Sequence, residues 1–379
     1  MTLDPIVLTQ ALIQRPSVTP DDAGCLDLMS EHLESMGFTC HRLPFGDVDN
    51  LYARFGKSEP NFCFAGHTDV VPIGDQSRWS MNPFGGEVKD GYVWGRGAVD
   101  MKGAIACFIA AVSEVLSSGD YQGSISLLLT SDEEGPAVNG TIKVIEWLKQ
   151  RNEKITYCLV GEPTNPTELG QMIKVGRRGS ITSRVTVTGK QGHVAYPHFA
   201  ANPIPPLMDY LQTLLAVSLD EGMQDFQPSN LEVTTFDVGN PTTNIIPGQA
   251  SATFNIRFNP MYTGASLKAY LNEKLKIVKE RCQLDLIWNL ECTVGGESFL
   301  THHEGLRKLV GDAVTDVTGK TPEFSTSGGT SDARFLKDIC PVVEFGLINK
   351  EAHQVDEKVL AEDLYALTKV YKEILEKVC

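Results

Sequence analysis

The sequence predicts an α/β protein: a mostly parallel sheet with helices on both faces, interrupted by an inserted βαββαβ (ferredoxin-like) domain. Three observations carry this reading. Short apolar runs at 61–65, 125–129 and 157–160 suit strands buried on both faces of a parallel sheet. Between 101 and 116, Met101, Ile105, Phe108, Ile109, Val112 and Leu116 form one helical stripe. From 181 to 187, Ile181, Ser183, Val185 and Val187 alternate with Thr182, Arg184 and Thr186, the pattern of a half-buried strand.

The elements follow in order. Asp4 and Pro5 start a helix that runs to about Gln14. The α/β texture then continues to residue 179. Beyond it come the alternating strand, a helix at about 203–217, strands near 231–238 and 250–258, a helix near 265–280 and a strand near 283–290. That order is the split βαβ arrangement. A final helix runs from about Ala361, with Leu364, Leu367, Tyr371, Ile374, Leu375 and Val378 on one face. At 379 residues the chain is long for one core. The expected division is a discontinuous catalytic domain, 1–179 and 293–379, around an inserted domain, 180–292.

Composition narrows the function. A formal net charge of −15 disfavours nucleic acid and anionic membranes as partners, and an anionic small substrate would need a local basic cluster. The first residues lack the basic start and apolar run of a signal peptide, and no apolar stretch is long enough to span a bilayer, so a cytoplasmic location is expected. The nine cysteines include no Cys-x-x-Cys pair, and Cys63, Cys107, Cys158 and Cys340 sit in apolar runs as small buried hydrophobes.

The chemistry lies just past the strands. The run ending at Ala65 leads to Gly66-His67-Thr68-Asp69, and Trp94-Gly95-Arg96-Gly97 leads to Asp100. Thr130 leads to Asp132-Glu133-Glu134-Gly135, and Val160 to Gly161-Glu162-Pro163. Sites in open α/β sheets form outside the carboxyl ends of strands. Any one of these residues alone would read as a turn or helix cap; together they form a metal-site pattern. Imidazole and carboxylate suit zinc and its neighbours. Two metals about 3.5–4 Å apart need a bridging carboxylate, for which Asp100 is the natural choice. His67 and Glu162 can serve one metal. Glu134 can serve the other with a second histidine. Glu133 is the natural general base toward a metal-held water, whose pKa falls from about 15.7 toward roughly 7. Asp69, two residues after His67, is read as the carboxylate that fixes the tautomer of that ligand.

Among the other histidines, His32 and His41 read as surface residues, and His302 and His303 as the start of a helix. His193 follows Lys190-Gln191-Gly192 in a polar loop. His353 follows the apolar run 341–348, another strand end, and is taken as the missing ligand.

At this point the chain resembles the co-catalytic zinc aminoacylase and carboxypeptidase superfamily, over its whole length. Further segments narrow the likeness: Lys174-Val175-Gly176-Arg177-Arg178-Gly179-Ser180, Gly192-His193-Val194-Ala195-Tyr196-Pro197-His198, Asn244-Ile245-Ile246-Pro247 and Ser327-Gly328-Gly329-Thr330-Ser331-Asp332. These are similar to the enzymes that remove the succinyl group from N-succinyl-LL-2,6-diaminopimelate, releasing succinate and LL-2,6-diaminopimelate on the route to lysine. The resemblance implies two Zn2+ per subunit, with Co2+ able to substitute: His67 and Glu162 on one, Glu134 and His353 on the other, Asp100 between and Glu133 as base. It also implies a homodimer whose inserted domain is a lid and dimerisation element, with His193 steadying the oxyanion in the partner's site.

For the substrate carboxylates, Arg178 and Arg257 are candidate clamps, because a guanidinium fork matches a carboxylate. Tyr196 and Asn244 are candidate hydrogen-bond partners. Gly328, Gly329, Thr330 and Ser331 could bring backbone N–H groups to an anion. The rival readings are an acetylornithine-type deacetylase or a dipeptidase, and, from another class, a non-catalytic dimeric binding protein. The full set of ligands and base argues against the last.

Overall fold

The computed structural model describes residues 2–119 and 121–378. They divide into two compact units. The first takes in the chain up to Val175, Thr301–Ser325 and the chain from Ser331 on; the second holds Gly176–Leu300 and Thr326–Thr330.

The first unit is built on an eight-stranded sheet in the order Thr39–Arg42, Asn50–Phe55, Ser124–Thr130, Asn61–His67, Tyr157–Val160, Val342–Glu344, Met172–Lys174, Glu323–Ser325. Its four middle strands, from Ser124–Thr130 to Val342–Glu344, are parallel, so their carboxyl ends open on one rim. Strands Asn61–His67 and Ser124–Thr130 are buried along their full length, which is why their sequences are continuously apolar rather than alternating.

Helices cover both faces. Phe64 stacks on Phe108 of the helix Lys102–Ser117 at 4.3 Å, and Tyr371 of the helix Ala361–Val378 meets both rings edge-on at 5.6 and 5.7 Å. Phe64 is in register with Leu127 and Ala53, whereas Tyr52 is in register with Leu128 and Ala65. Neighbouring rows point to opposite faces. Tyr52 therefore faces away from Phe108, and there it meets Trp147 of the helix Thr141–Gln150 at 5.8 Å. The helix Pro5–Ile13 begins as its cap dictates, with the Asp4 carboxylate accepting from the Ile6 and Val7 N–H groups at 2.8 and 3.1 Å. His303 caps the helix Glu304–Thr318, its Nδ1 accepting from Leu306 N–H at 3.0 Å.

The second unit is a four-stranded antiparallel sheet in the order Asn230–Asp237, Gln249–Phe258, Gly179–Thr188, Ile287–Gly296. Helices Ile204–Leu215 and Gly264–Arg281 pack on it around Ile181, Val185, Tyr210, Phe254 and Leu271. The chain order is βαββαβ, as in the ferredoxin-like arrangement.

Several boundaries differ from expectation. The last strand of this four-stranded sheet is Ile287–Gly296, not 283–290. Its alternation persists through Gly295 and Gly296, where glycine gives no apolar signal to read. The units part at 175/176 and 300/301 rather than at 179/180 and 292/293. Strands Gly176–Arg177 and Phe299–Leu300 pair with each other, which carries both ends further into the second unit. The segment 326–330 also joins that unit, because Thr326 donates to the Asp225 carbonyl and Arg177 Nη1 donates to the Ser327 carbonyl at 3.3 Å.

Candidate metal centre

The parallel strands deliver their chemistry to one rim. His67 is the last residue of its strand, Glu133 and Glu134 follow Thr130, and Glu162 follows Val160. Close approach of these connections depends on two glycines. A Cβ on Gly66 would lie 2.4 Å from Met101 Cε, and one on Gly161 would lie 2.4 Å from Phe64 Cζ and 2.8 Å from Met101 Cε.

Two clusters form, and they share Asp100. His67, Asp100 and Glu162 make one; Asp100, Glu134 and His353 make the other, and within each the potential ligand atoms lie within 4.8 Å of one another. Asp100 Oδ1 is 3.2 Å from His67 Nε2, and its Oδ2 is 3.2 Å from His353 Nε2. Glu162 Oε1 stands 3.6 Å from His67 Nε2, and Glu134 Oε1 stands 2.8 Å from His353 Nε2. All five residues named from the sequence as ligands thus meet at one place. His67 is buried, whereas the His353 side chain is half exposed and its backbone takes a positive φ of 62°.

Asp69 does something other than expected of its carboxylate. Its backbone carbonyl, at 2.9 Å, is the nearer partner of His67 Nδ1; its carboxylate is 3.6 Å away. That carboxylate instead accepts from the Glu133 and Glu134 N–H groups at 3.3 and 3.1 Å, so Asp69 sets the turn that carries both glutamates. Asp132 shapes the same turn further on, accepting from the N–H groups of Ala137, Val138 and Asn139.

The electrostatics call for cations. Burial alone would lower the His67 imidazole, but its hydrogen bond to Asp100 and the charges of Glu162, Asp69 and Glu133 outweigh it and hold the group well above its ordinary pKa. Hydrogen bonds to Asp100 and Glu134 push His353 up to about 10. Burial would raise Asp100, yet the bonds to His353 and His67 hold it well below the usual range. Burial, reinforced by Asp332, Glu134 and Asp100 and opposed by His67, raises Glu133 to about 8. Glu162 is likewise held high, by burial and then by Asp100. Without a cation the cluster must hold protons to offset its crowded carboxyls. Four carboxylate or imidazole donors arranged around a central carboxylate are the donor set for a pair of divalent metals, and the residues fit that cofactor.

Sequence reasoning missed three buried carboxylates of the first unit. Glu357 accepts from the N–H groups of Gly97, Val99 and Asp100. Glu344 accepts from the Ser331 hydroxyl at 2.7 Å, which commits that hydroxyl inside the protein. Asp332 accepts from Thr141 Oγ1 at 2.6 Å, and its pKa is raised to about 6, chiefly by burial. Glu357 and Asp332 stand beside polar residues and carry no periodic signal, whereas Glu344 interrupts the apolar run 341–348, and that interruption is the one sign that could have found it.

The remaining candidates lie in the second unit. His193 pairs with Ile245, its Nδ1 accepts from Ala195 N–H at 3.0 Å, and its ring lies 5.6 Å from that of the exposed Tyr196. Val194 N–H donates to the Asn244 carbonyl at 3.0 Å, so His193, Tyr196 and Asn244 share one loop cluster. Arg178 Nη1 donates to the Pro228 carbonyl at 3.1 Å and to Asn230 Oδ1 at 2.9 Å, a structural engagement. Arg257 sits in register between Ser180 and Asn230. Gly328 takes a φ of 101°, and a Cβ there would lie 2.6 Å from Arg177 Nη1; Gly329 and Thr330 follow in the same segment.

Residues 63–377 match peptidase family M20/M25/M40. The chain is 55% identical to a succinyl-diaminopimelate desuccinylase of Rhodospirillum centenum, over 100% of this chain and 98% of that one. It is 52% identical to one of Caulobacter vibrioides, over 100% and 96%. Among solved structures, an M20 family metallo-carboxypeptidase of Sulfolobus solfataricus superposes with a TM-score of 0.82 at 17% identity, covering 99% of both chains. A dinuclear metal-binding M20 peptidase of Bacillus subtilis gives 0.73 at 15% identity, covering 99% of this chain and 97% of that one. At these identities the two structures speak for the fold, which has the same two-part α/β organisation.

Proposed function

The chain belongs to peptidase family M20/M25/M40, and from that premise we propose that it hydrolyses the amide bond of N-succinyl-LL-2,6-diaminopimelate to succinate and LL-2,6-diaminopimelate. The observation that carries the reading is Asp100, one oxygen toward His67 and the other toward His353, between two ligand clusters.

The cofactor is a pair of divalent metals, which we take to be two Zn2+ per subunit with Co2+ as a substitute. When bound, such a pair polarises an amide carbonyl and activates a water. The residues supply the rest. Glu133, aimed by the N–H bond to Asp69, takes the proton of the attacking water and delivers it to the leaving amine. His193 is the proposed donor to the oxyanion, in a homodimer. Arg178, Tyr196, Asn244, Arg257 and the segment Gly328–Ser331 are the proposed contacts for the substrate carboxylates. No helix among the described residues is long and apolar enough to cross a membrane, and we place the enzyme in the cytoplasm.

The test is succinate release from N-succinyl-LL-2,6-diaminopimelate by chelator-stripped protein, with zinc returned stepwise. Activity that returns with metal and exceeds that on acetylornithine is the expected result. Metal-loaded protein that prefers acetylornithine, or releases no succinate, would sink the substrate assignment. Size-exclusion chromatography with light scattering checks the dimer.

A further inference from the structure

The loop that presents Asp100 is wrapped around a carboxylate of the chain's own. Gly95 N–H donates to the Glu357 backbone carbonyl at 2.9 Å. Gly97 N–H donates to Glu357 Oε2 at 3.0 Å, while Val99 and Asp100 N–H groups share Oε1 at 2.9 and 3.2 Å. Arg96, also buried, places Nη1 2.8 Å from Oε2 and 3.1 Å from the Gln354 carbonyl. Glu357 itself is wholly buried. Converging backbone N–H groups form an anion cradle of the sort that elsewhere holds phosphate, and here it is filled from within. Gly97 is at a φ of 85°, where a Cβ would strike Val70 at 2.7 Å, so the loop can close this way only with glycine at that position.

The donor and acceptor ends of this clamp belong to the two halves of the metal centre. One half is the loop ending in Asp100. The other is the connection from His353 to Glu357, which continues into the strand Lys358–Leu360 paired with Tyr92–Trp94. Resting on the metal-centre reading above, we infer that Glu357, with Arg96, is a positioning residue: it fixes the distance between the Asp100 carboxylate and the His353 imidazole, and so makes a single carboxylate able to serve both clusters. It touches neither candidate ligand's metal-facing atom. It acts by bonding the Asp100 N–H directly and by anchoring the chain four residues beyond His353. A glutamine there keeps the size but turns an NH2 toward N–H or guanidinium donors, so part of the cradle must open.

The experiment compares the unsubstituted full chain with Glu357→Gln and Glu357→Asp. Each is stripped of metal, its melting temperature is taken, and it is then titrated with Co2+ while the visible absorption is followed. Tight binding of two Co2+ by the unsubstituted chain supports the metal-centre reading; no binding would remove that reading and this inference with it. Given binding, Glu357→Gln is expected to keep its metal-free melting temperature within a few degrees, lose about 10- to 100-fold in Co2+ affinity, change the absorption of the bound ions, and lower kcat more than it raises KM. Glu357→Asp keeps the charge but is one methylene short, and is expected to recover part of the affinity. Should Glu357→Gln not fold, the aspartate variant decides by the same readouts. A lower metal-free melting temperature with normal affinity and normal absorption would make Glu357 merely structural and overturn the inference, as would two variants that match the unsubstituted chain throughout.

Discussion

The backbone carbonyl of Asp69, not its carboxylate, is the atom nearest His67 Nδ1, at 2.9 Å against 3.6 Å. The main chain therefore orients the His67 imidazole, and the side chain holds the Glu133 and Glu134 N–H groups. This division of labour makes Asp69 more important to the Glu134 and His353 cluster than to the one at its own neighbour.

Asp69→Asn tests that division. The carbonyl contact to His67 survives, but one of the two N–H acceptors becomes a donor. The expected outcome is a loss of about 10- to 100-fold in affinity at the Glu134 and His353 cluster, with the His67 and Glu162 cluster little changed, and a matching fall in kcat. Stepwise Co2+ titration followed by its absorption separates the two events. Weakening of the event that Glu162→Ala also weakens would show instead that the carboxylate acts on His67.

Glu133→Gln should keep both metals and lose turnover. Neither cluster includes Glu133, so metal content by elemental analysis should be unchanged. Removal of a general acid–base group costs about 10²- to 10⁴-fold in rate. A rate near that of the parent would take Glu133 out of the proton transfer.

Much of the site was legible before the fold because most of the candidate ligands lie at or just past the end of a strand that its apolar composition announces, Asp100 on its glycine-rich loop being the exception. His67, Glu134 and Glu162 follow such runs directly. His353 was placed by the same logic, although the short 3-10 segment Asn349–Glu351 intervenes after the strand and His353 itself takes a left-handed φ of 62°. What could not be read was the support. Glu357, Glu344 and Asp332 act through buried hydrogen bonds to partners distant in sequence, and Thr141 lies 191 residues from Asp332. No local pattern encodes such a pairing. Asp69 shows a related limit: spacing along a strand tells where a side chain points, not which of the residue's atoms lies nearest.

Metal-free protein should lose stability as the pH rises, and metal should remove that dependence. His353 is raised from about 6.5 to about 10, and Glu133 from about 4.5 to about 8. In both cases the folded chain holds a proton that the unfolded chain releases sooner. The His353 contribution is complete below about 6.5 and is lost as the pH passes 10; the cost of burying Glu133 as a carboxylate grows from about 4.5 to 8. The signs agree, so chelator-treated protein should melt at progressively lower temperature from pH 5 toward about 10. Metal takes the place of the protons, so its binding should release them and tighten with rising pH. Calorimetry in two buffers of different ionisation enthalpy counts the protons. A melting temperature of metal-free protein that climbs over this range would contradict the charge arrangement.

Arg178→Ala asks whether this guanidinium reads the extra carboxylate of a succinyl group. If it does, kcat/KM should fall by at least 10-fold more on the succinylated substrate than on an acetylated one, the scale of a charge-assisted hydrogen bond. Its bonds to Pro228 and Asn230 offer the contrary outcome: equal losses on both substrates, accompanied by a lower melting temperature, would assign Arg178 to the local structure of the second unit.

Gly161→Ala should uncouple the site from the core. The added methyl would lie 2.4 Å from Phe64 Cζ and 2.8 Å from Met101 Cε, in a layer where Phe64 is already stacked on Phe108 at 4.3 Å. Tyr371 meets both rings edge-on at 5.6 and 5.7 Å, which leaves them little room to withdraw. The strand end must shift instead, and Glu162 is the next residue along it. Overpacking of this kind costs about 1–3 kcal/mol, which should appear as a lower melting temperature of the metal-free protein. The displacement should also weaken the His67, Asp100 and Glu162 cluster while sparing the one at Glu134 and His353. Metal titration reads the two apart: equal weakening of both would mean that the strain spreads through Asp100, and an unaltered titration at reduced stability would mean that the core absorbs the methyl without moving Glu162.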